Sequence, residues 1–174
     1  MRIDINPGDA SWEAARPLLD IVWSPDIMAR LAWRHIVWAH ADARVLVSDG
    51  DIATSIICHV GLYSRQAIWN DTPVTIGGIG GVATHPERRK QGHASAAIAA
   101  GIARFRQSDA DFGLLFCEPH NFAFYRGLGW HQFEGEVYAE QPEGRVRFAA
   151  MTPFVFDLRR SPRSGVIDLR GLPW

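Results

Sequence analysis

The run Arg89-Lys90-Gln91-Gly92-His93-Ala94 places small residues where a backbone must approach a ligand closely, with cationic side chains on the entering side. Such a loop suits an anion. If a helix opens at Gly92, its first peptide N–H groups have no partner inside the helix, and the positive end of its dipole points into the turn. The alanine-rich stretch up to Arg106 supplies that helix, and the β-branched run before the loop supplies a strand ending near Thr84. A side chain at position 92 would block the approach and restrict the backbone.

These groups need a frame. Gly77, Gly78, Gly80 and Gly81 interrupt the strand that leads to the loop. Glycine inside a strand marks a bulge or a close approach of another backbone or ligand, and the apolar residues on both sides, Val74–Ile76 and Val82–Thr84, favour a bulge. Upstream, Arg2–Ile5 reads as a first strand and residues 12–22 as a helix that Pro17 kinks or divides. Ser24-Pro25-Asp26 opens a second helix, with Ile27, Leu31 and Trp38 near one stripe. Arg44–Ser48 and Ile52–Tyr63 flank Asp49-Gly50-Asp51, the strongest short hairpin signal in the chain, and residues 69–73 make another turn. Downstream of the loop helix, Phe112–Cys117 is a short apolar strand. Strand, helix and strand in that order form a crossover, so the strands near 82 and 115 should be parallel neighbours. Pro119 lacks a ladder donor just past the second of them, which should help the two separate. His131–Phe133 and Arg145–Leu158 complete the sheet, and the stretch from Ser161 to Trp174 is a tail with an apolar finish.

Glu118 through Trp130 then carries a second ordered signal: Asn121 as a helix N-cap, Phe124-Tyr125 inside, and Leu128-Gly129-Trp130 as the stop. Together with Arg89, Gly92 and Ala94, this segment resembles the GNAT N-acetyltransferase superfamily, whose loop pattern is [QR]-x-x-G-x-[GA]. The resemblance implies one domain over residues 1–174 with an α+β fold, a twisted mixed sheet of about six to seven strands flanked by about four helices. It implies acetyl-CoA as co-substrate, with the loop amides of Arg89, Lys90, Gln91, Gly92, His93 and Ala94 on the diphosphate, Val82, Ala83 and Thr84 along the pantetheine arm, and Asn121 and Tyr125 completing that side. By the same analogy, the Val82 N–H serves the thioester oxygen and Tyr125 protonates the leaving thiolate. The base is open between water, Glu118, His120 and His59.

His59-Val60-Gly61-Leu62-Tyr63-Ser64-Arg65 and the terminal Trp174 resemble the aminoglycoside 2′-N-acetyltransferase branch, in which a tryptophan at that place lies near the bound aminoglycoside. That branch carries a glutamate where this chain has Gly80 and an acidic residue where it has Leu172. The candidate acceptor-binding residues are therefore Trp33, His59, Gly80, Glu118 and Trp174. Each has a plainer reading as well: packing for the tryptophans, a satisfied sheet histidine for His59, an amphipathic core tyrosine for Tyr125, a docked tail for the C-terminal segment.

Composition narrows the classes. A net charge of −1 over 174 residues argues against nucleic acid, which is bound by a broad excess of Lys and Arg. No apolar run reaches the ~18–20 residues of a membrane span, so the expected place is the cytoplasm. Two cysteines, Cys58 and Cys117, each within an apolar run, offer no metal site and read as reduced buried thiols. The expected activity is acetyl transfer to a primary amine of a small molecule, with a non-catalytic acetyl-CoA sensor or a transferase of longer acyl chains as alternatives. Exposed sheet edges and an apolar tail make a homodimer compatible with the chain.

Overall fold

The computed structural model describes residues 1–49 and 55–174. The strands are β1 Arg2–Pro7, β2 Ala43–Ser48, β3 Ile56–Trp69, β4 Thr72–Thr84, β5 Phe112–Cys117, β6 His131–Gln132, β7 Glu134–Gln141, β8 Gly144–Arg147, β9 Thr152–Asp157 and β10 Ser164–Asp168. The helices are α1 Trp12–Val22, α2 Pro25–Met28, α3 His93–Gln107 and α4 Phe122–Gly127. The mixed sheet is larger than the six to seven strands expected. It runs β6-β9-β5-β4-β3-β10-β7-β8, with β2 and then β1 added on the other half of β3, ten strands among the described residues. The excess comes from the C-terminal third: β7 was not anticipated, and the supposed tail supplies β10, which lies parallel to β7 and antiparallel to the end of β3.

The hairpin that organises the sheet is β3–β4. It turns at Asn70-Asp71, both in the left-handed region (φ 45° and 62°), with Trp69 opposite Thr72. Two left-handed residues give the turn the twist that flanking strands need. The Asp49-Gly50-Asp51 turn and the start of its second strand fall outside the described residues.

Helix α3 covers one face of the sheet, where Ala97, Ile98, Ile102 and Phe105 pack with Val60, Leu62, Ile79 and Leu115. The other face is filled by Tyr63, Ile76, Leu114, Phe116, Val137, Phe148, Ile167 and Trp174. Close packing on both faces explains most of the β4 glycines. A Cβ at Gly77 would stand 2.5 Å from the Phe105 ring, and one at Gly78 would run into the Trp174 indole.

Two helix expectations need correction. Helix α1 continues unbroken through Pro17, because burial of Ala15 and Leu18 against the sheet outweighs one lost N–H. The second helix is a single turn, α2. Past it the chain is irregular to Asp42, and its apolar residues serve the far face instead of a helical stripe. Trp38 meets Phe148 edge-on at 5.9 Å. The side chain of Gln141 clamps Val37 on both sides, accepting from its N–H and donating to its carbonyl, each at 2.9 Å.

Candidate active site

Beyond β4, Pro86–Arg88 makes one tight turn, and Arg88 is drawn aside into an ion pair with Asp49. Lys90 (φ 62°) and Gly92 (φ 81°) then turn the chain left-handed into α3. The result is a row of unused donors. No peptide nitrogen from Arg89 to Ser95 donates to any described residue, and the ladder resumes only where the Ala96 N–H bonds the Gly92 carbonyl at 3.0 Å. A Cβ at Gly92 would meet nothing within 4 Å, and Arg89 to Gly92 are exposed, so the turn itself is open to solvent. The side chains lean away: Arg89 Nε donates to the Thr84 carbonyl at 3.4 Å, and His93 Nε2 meets Gln91 Oε1 at 3.3 Å. The N-terminus of a 15-residue helix adds its dipole.

A gap opens beside the loop. β4 and β5 pair in parallel only from Ile76/Phe112 to Ile79/Leu115. Past that point β4 stays bonded to β3 as far as Thr84/Cys58, and β5 to β9 as far as Cys117/Thr152, so each strand is held by its outer neighbour while the two part. The parting begins before Pro119 is reached. Just past the parting β4 carries an irregularity, where His59 faces Ala83 and Gly61 faces Gly80, leaving an extra residue at Gly81-Val82. Gly81 is left-handed (φ 56°), the mark of a bulge, and a bulge bends its strand. From Gly80 onward the β5-facing peptide groups of β4 have no ladder partner.

The far end of β4, through Val82, Ala83 and Thr84, forms one side of the gap and the end of β5 the other. Tyr125 is 7% exposed, and its hydroxyl bonds no described residue. Burial, then the neighbouring Cys117, raises its pKa, so the phenol stays protonated. Burial likewise pushes the Cys117 thiol up to about 12, against a smaller pull from Arg126, which leaves it inert as a nucleophile. Cys58 and Cys117 are both free and buried. Asn121 occupies the residue before α4 but makes no capping bond, its amide lying 3.1 Å from His120 Nε2.

On the opposite face Trp174 is 4% exposed and donates its indole N–H to the Leu114 carbonyl at 3.2 Å. It stacks on Tyr63 with ring centroids 5.5 Å apart, and the Arg65 guanidinium lies 5.8 Å from its centroid. Its carbonyl carbon would be 3.0 Å from a Cβ on Gly80, so a side chain at position 80 would have to push Trp174 aside by a few tenths of an ångström. Trp33 packs edge-on against Trp38 at 5.5 Å and lines neither of the cavities described next.

A cavity of about 360 Å³ joins the end of β5, through Cys117 and Glu118, to Glu136, Arg147 and the Phe148–Pro153 segment. Arg147 pairs with Glu136 at 3.2 Å, whereas Glu118 has no ion-pair partner among the described residues. A second cavity of about 570 Å³ lies across Arg147–Ala150, walled by His35, Ile36 and Gln141. Neither the break at Phe148–Met151 nor the Gln141 clamp has a local sequence signature. Only the fold brings them to the cleft.

The sequence family model for the GNAT acetyltransferase domain matches residues 9–133, and the chain belongs to that family. Among solved structures, it resembles a GNAT family N-acetyltransferase from Escherichia coli in complex with CoA (TM-score 0.64, 14% identity, 97% of this chain and 89% of that one). It resembles a GNAT family acetyltransferase from Brucella melitensis in complex with acetyl-CoA similarly (TM-score 0.56, 14% identity, 95% and 94%). Of the GCN5-related N-acetyltransferase from Kribbella flavida it spans 22%, with 52% of this chain covered at 25% identity and TM-score 0.47. No curated protein matches the sequence. The aminoglycoside branch finds no support in these matches. No helix among the described residues is long and apolar enough to cross a membrane.

Proposed function

We propose that this chain is an acetyl-CoA-dependent N-acetyltransferase that acylates the primary amine of a small molecule by direct attack in a ternary complex. The observation that carries this reading is the row of unused peptide donors from Arg89 to Ser95, open to solvent beside the parted strands. Those donors and the α3 dipole fit a diphosphate. Lys90, exposed and without an ion pair among the described residues, adds charge at the entrance. Val82 lies in the bulge beyond the last β4–β5 pair, where its peptide group is offered to an amide-bearing arm, with Ala83 and Thr84 following it along the same strand and Asn121 at the start of α4.

Acetyl-CoA supplies an acyl thioester, whose carbonyl is open to an uncharged amine. In this reading the Val82 N–H is aimed at the thioester oxygen and stabilises the charge that develops there. The Tyr125 hydroxyl, kept protonated by burial, gives its proton to the departing sulfur. Glu118, unpaired at the mouth of the 360 Å³ cavity, attracts the acceptor and takes up its proton through water. His59 is not assigned as the base, because its ring is buried and its Nδ1 is committed to the Gly81 carbonyl at 2.7 Å. Gly80 provides no carboxylate to hold a polycationic acceptor, so the amine panel below includes aminoglycosides beside smaller amines.

Calorimetry with acetyl-CoA, combined with thiol release over a panel of amino acids, polyamines, peptides and aminoglycosides, tests the reading. Tyr125→Phe is expected to keep acetyl-CoA affinity and lose about 100-fold in turnover. Wild-type protein that binds acetyl-CoA but releases thiol with no amine would instead be a coenzyme-binding module.

A further inference from the structure

We infer that His59 is a positioning residue whose ring holds the β4 bulge in register, so that Val82 rather than its neighbour presents its peptide group to the gap; this rests on the acetyltransferase reading above. His59 is 4% exposed on β3, paired across the sheet with Leu46 and Ala83. Its Nδ1 lies 2.7 Å from the Gly81 carbonyl oxygen. A carbonyl only accepts, so Nδ1 carries the proton and Nε2 is the bare nitrogen. That Nε2 is buried with no partner among the described residues.

A ring used only for packing would not need this arrangement, since leucine would fill similar space without burying an unpaired nitrogen. The one polar contact His59 makes falls on the extra residue. A bulge leaves one peptide group outside the ladder, and His59 takes up the carbonyl of that residue. The site is also tight, since a Cβ on Gly81 would stand 3.3 Å from His59 Cε1. Strand side chains and peptide groups alternate with a period of two, so moving the extra residue by one position turns the peptide group between its old and new places to the other edge, and losing it turns every following donor. Val82 lies immediately after Gly81, where such a slip first acts.

The ring therefore acts through Gly81 and touches no reacting atom. His59→Leu keeps the bulk and loses the donor, whereas His59→Asn puts an amide N–H at the place of Nδ1. His59→Leu is expected to lower kcat by about 100-fold, the size of effect expected when a reacting group is misplaced by about 1 Å, with the KM for acetyl-CoA little changed. His59→Asn should recover most of the loss. Turnover of His59→Leu equal to wild type, or His59→Asn as impaired as His59→Leu, would overturn the inference. Should His59→Leu not fold, ¹⁵N NMR of the wild-type imidazole decides: a protonated Nδ1 coupled to a carbonyl supports the clamp, and a protonated Nε2 refutes it. Failure of the acetyltransferase reading would look different, with wild type binding no coenzyme A ester or releasing no thiol. The NMR result, together with hydrogen exchange at Val82 in wild type and His59→Asn, would then still decide whether the clamp holds the bulge.

Discussion

At the loop end of β4 the groups proposed to bind are peptide nitrogens, Arg89 to Ser95, left without partners among the described residues by the way the chain enters α3. On the face that holds Trp174 the groups are side chains from segments far apart in sequence: Tyr63 and Arg65 of β3, Phe116 of β5 and the indole itself. The first region is a backbone surface that is open and exposed. The second is closed, with rings pressed against glycine so tightly that Gly78 tolerates no Cβ. On the proposed function, the contrast separates binding, at the loop past the end of β4, from stability, at the packed face that holds Trp174. Changes at the loop should alter affinity with little effect on folding, and changes at the Trp174 face should do the reverse.

The largest effect should come from the closed face. Trp174→Ala removes a buried indole and should cost about 3–5 kcal/mol in denaturant unfolding. Acetyl-CoA affinity of the folded protein is expected to stay near wild type, and a parallel loss of affinity would break the distinction.

His59 stands between the two regions and supplies a pH test. Its ring is held neutral in the fold, with a pKa of about 4 caused by burial first and the Arg44 charge last, against a raising contribution from the Gly81 bond. The unfolded ring titrates near 6.5, so between these values the unfolded chain binds the extra proton. Stability attributable to His59 is therefore intact above about pH 6.5 and falls as pH drops toward 4, by roughly 3 kcal/mol at most. Unfolding curves of wild type and His59→Asn should diverge over that window, and parallel curves would remove His59 from the account.

Smaller stability effects belong to the loop. Gly92→Val forces a left-handed β-branched residue, expected to cost about 1–2 kcal/mol, yet no described residue obstructs the side chain. Its main consequence should be a loss of acetyl-CoA affinity of about tenfold or more, read by calorimetry, because the side chain enters the space in front of the donors. Lys90→Gly, which relieves a left-handed lysine, should raise stability by up to about 1 kcal/mol while weakening coenzyme binding. An affinity gain would remove Lys90 from the entrance.

The loop and its flanking elements were legible because each is local. A strand, Gly92 and an alanine-rich helix in succession state a backbone path directly, and α3 begins at His93, next to the glycine. The gap was legible only in part. Glycine between Gly77 and Gly81 signalled irregularity, yet one of these residues, Gly81, carries the bulge, while Gly77 and Gly78 make room for Phe105 and Trp174. Which ring would come to rest on which glycine depends on residues dozens of positions away. The stretch after α2 read as helix from its apolar spacing and became an irregular wall, because Gln141 satisfies the Val37 backbone and Trp38 finds Phe148. The strand at Ser164–Asp168 read as tail for the same reason: its ladder partners, β7 and β3, are remote.

By itself, the sequence determined the chain's family, the turn at Gly92 and the helix that opens behind it, since those depend on short-range backbone preferences and on where glycine permits a left-handed turn. The tertiary structure alone decided where β4 and β5 part, which peptide groups stay unpaired, and that Trp174 occupies the space beside Gly80. Those outcomes follow from close packing and ladder register between distant segments, and contacts of that kind leave no mark in the spacing of neighbouring residues.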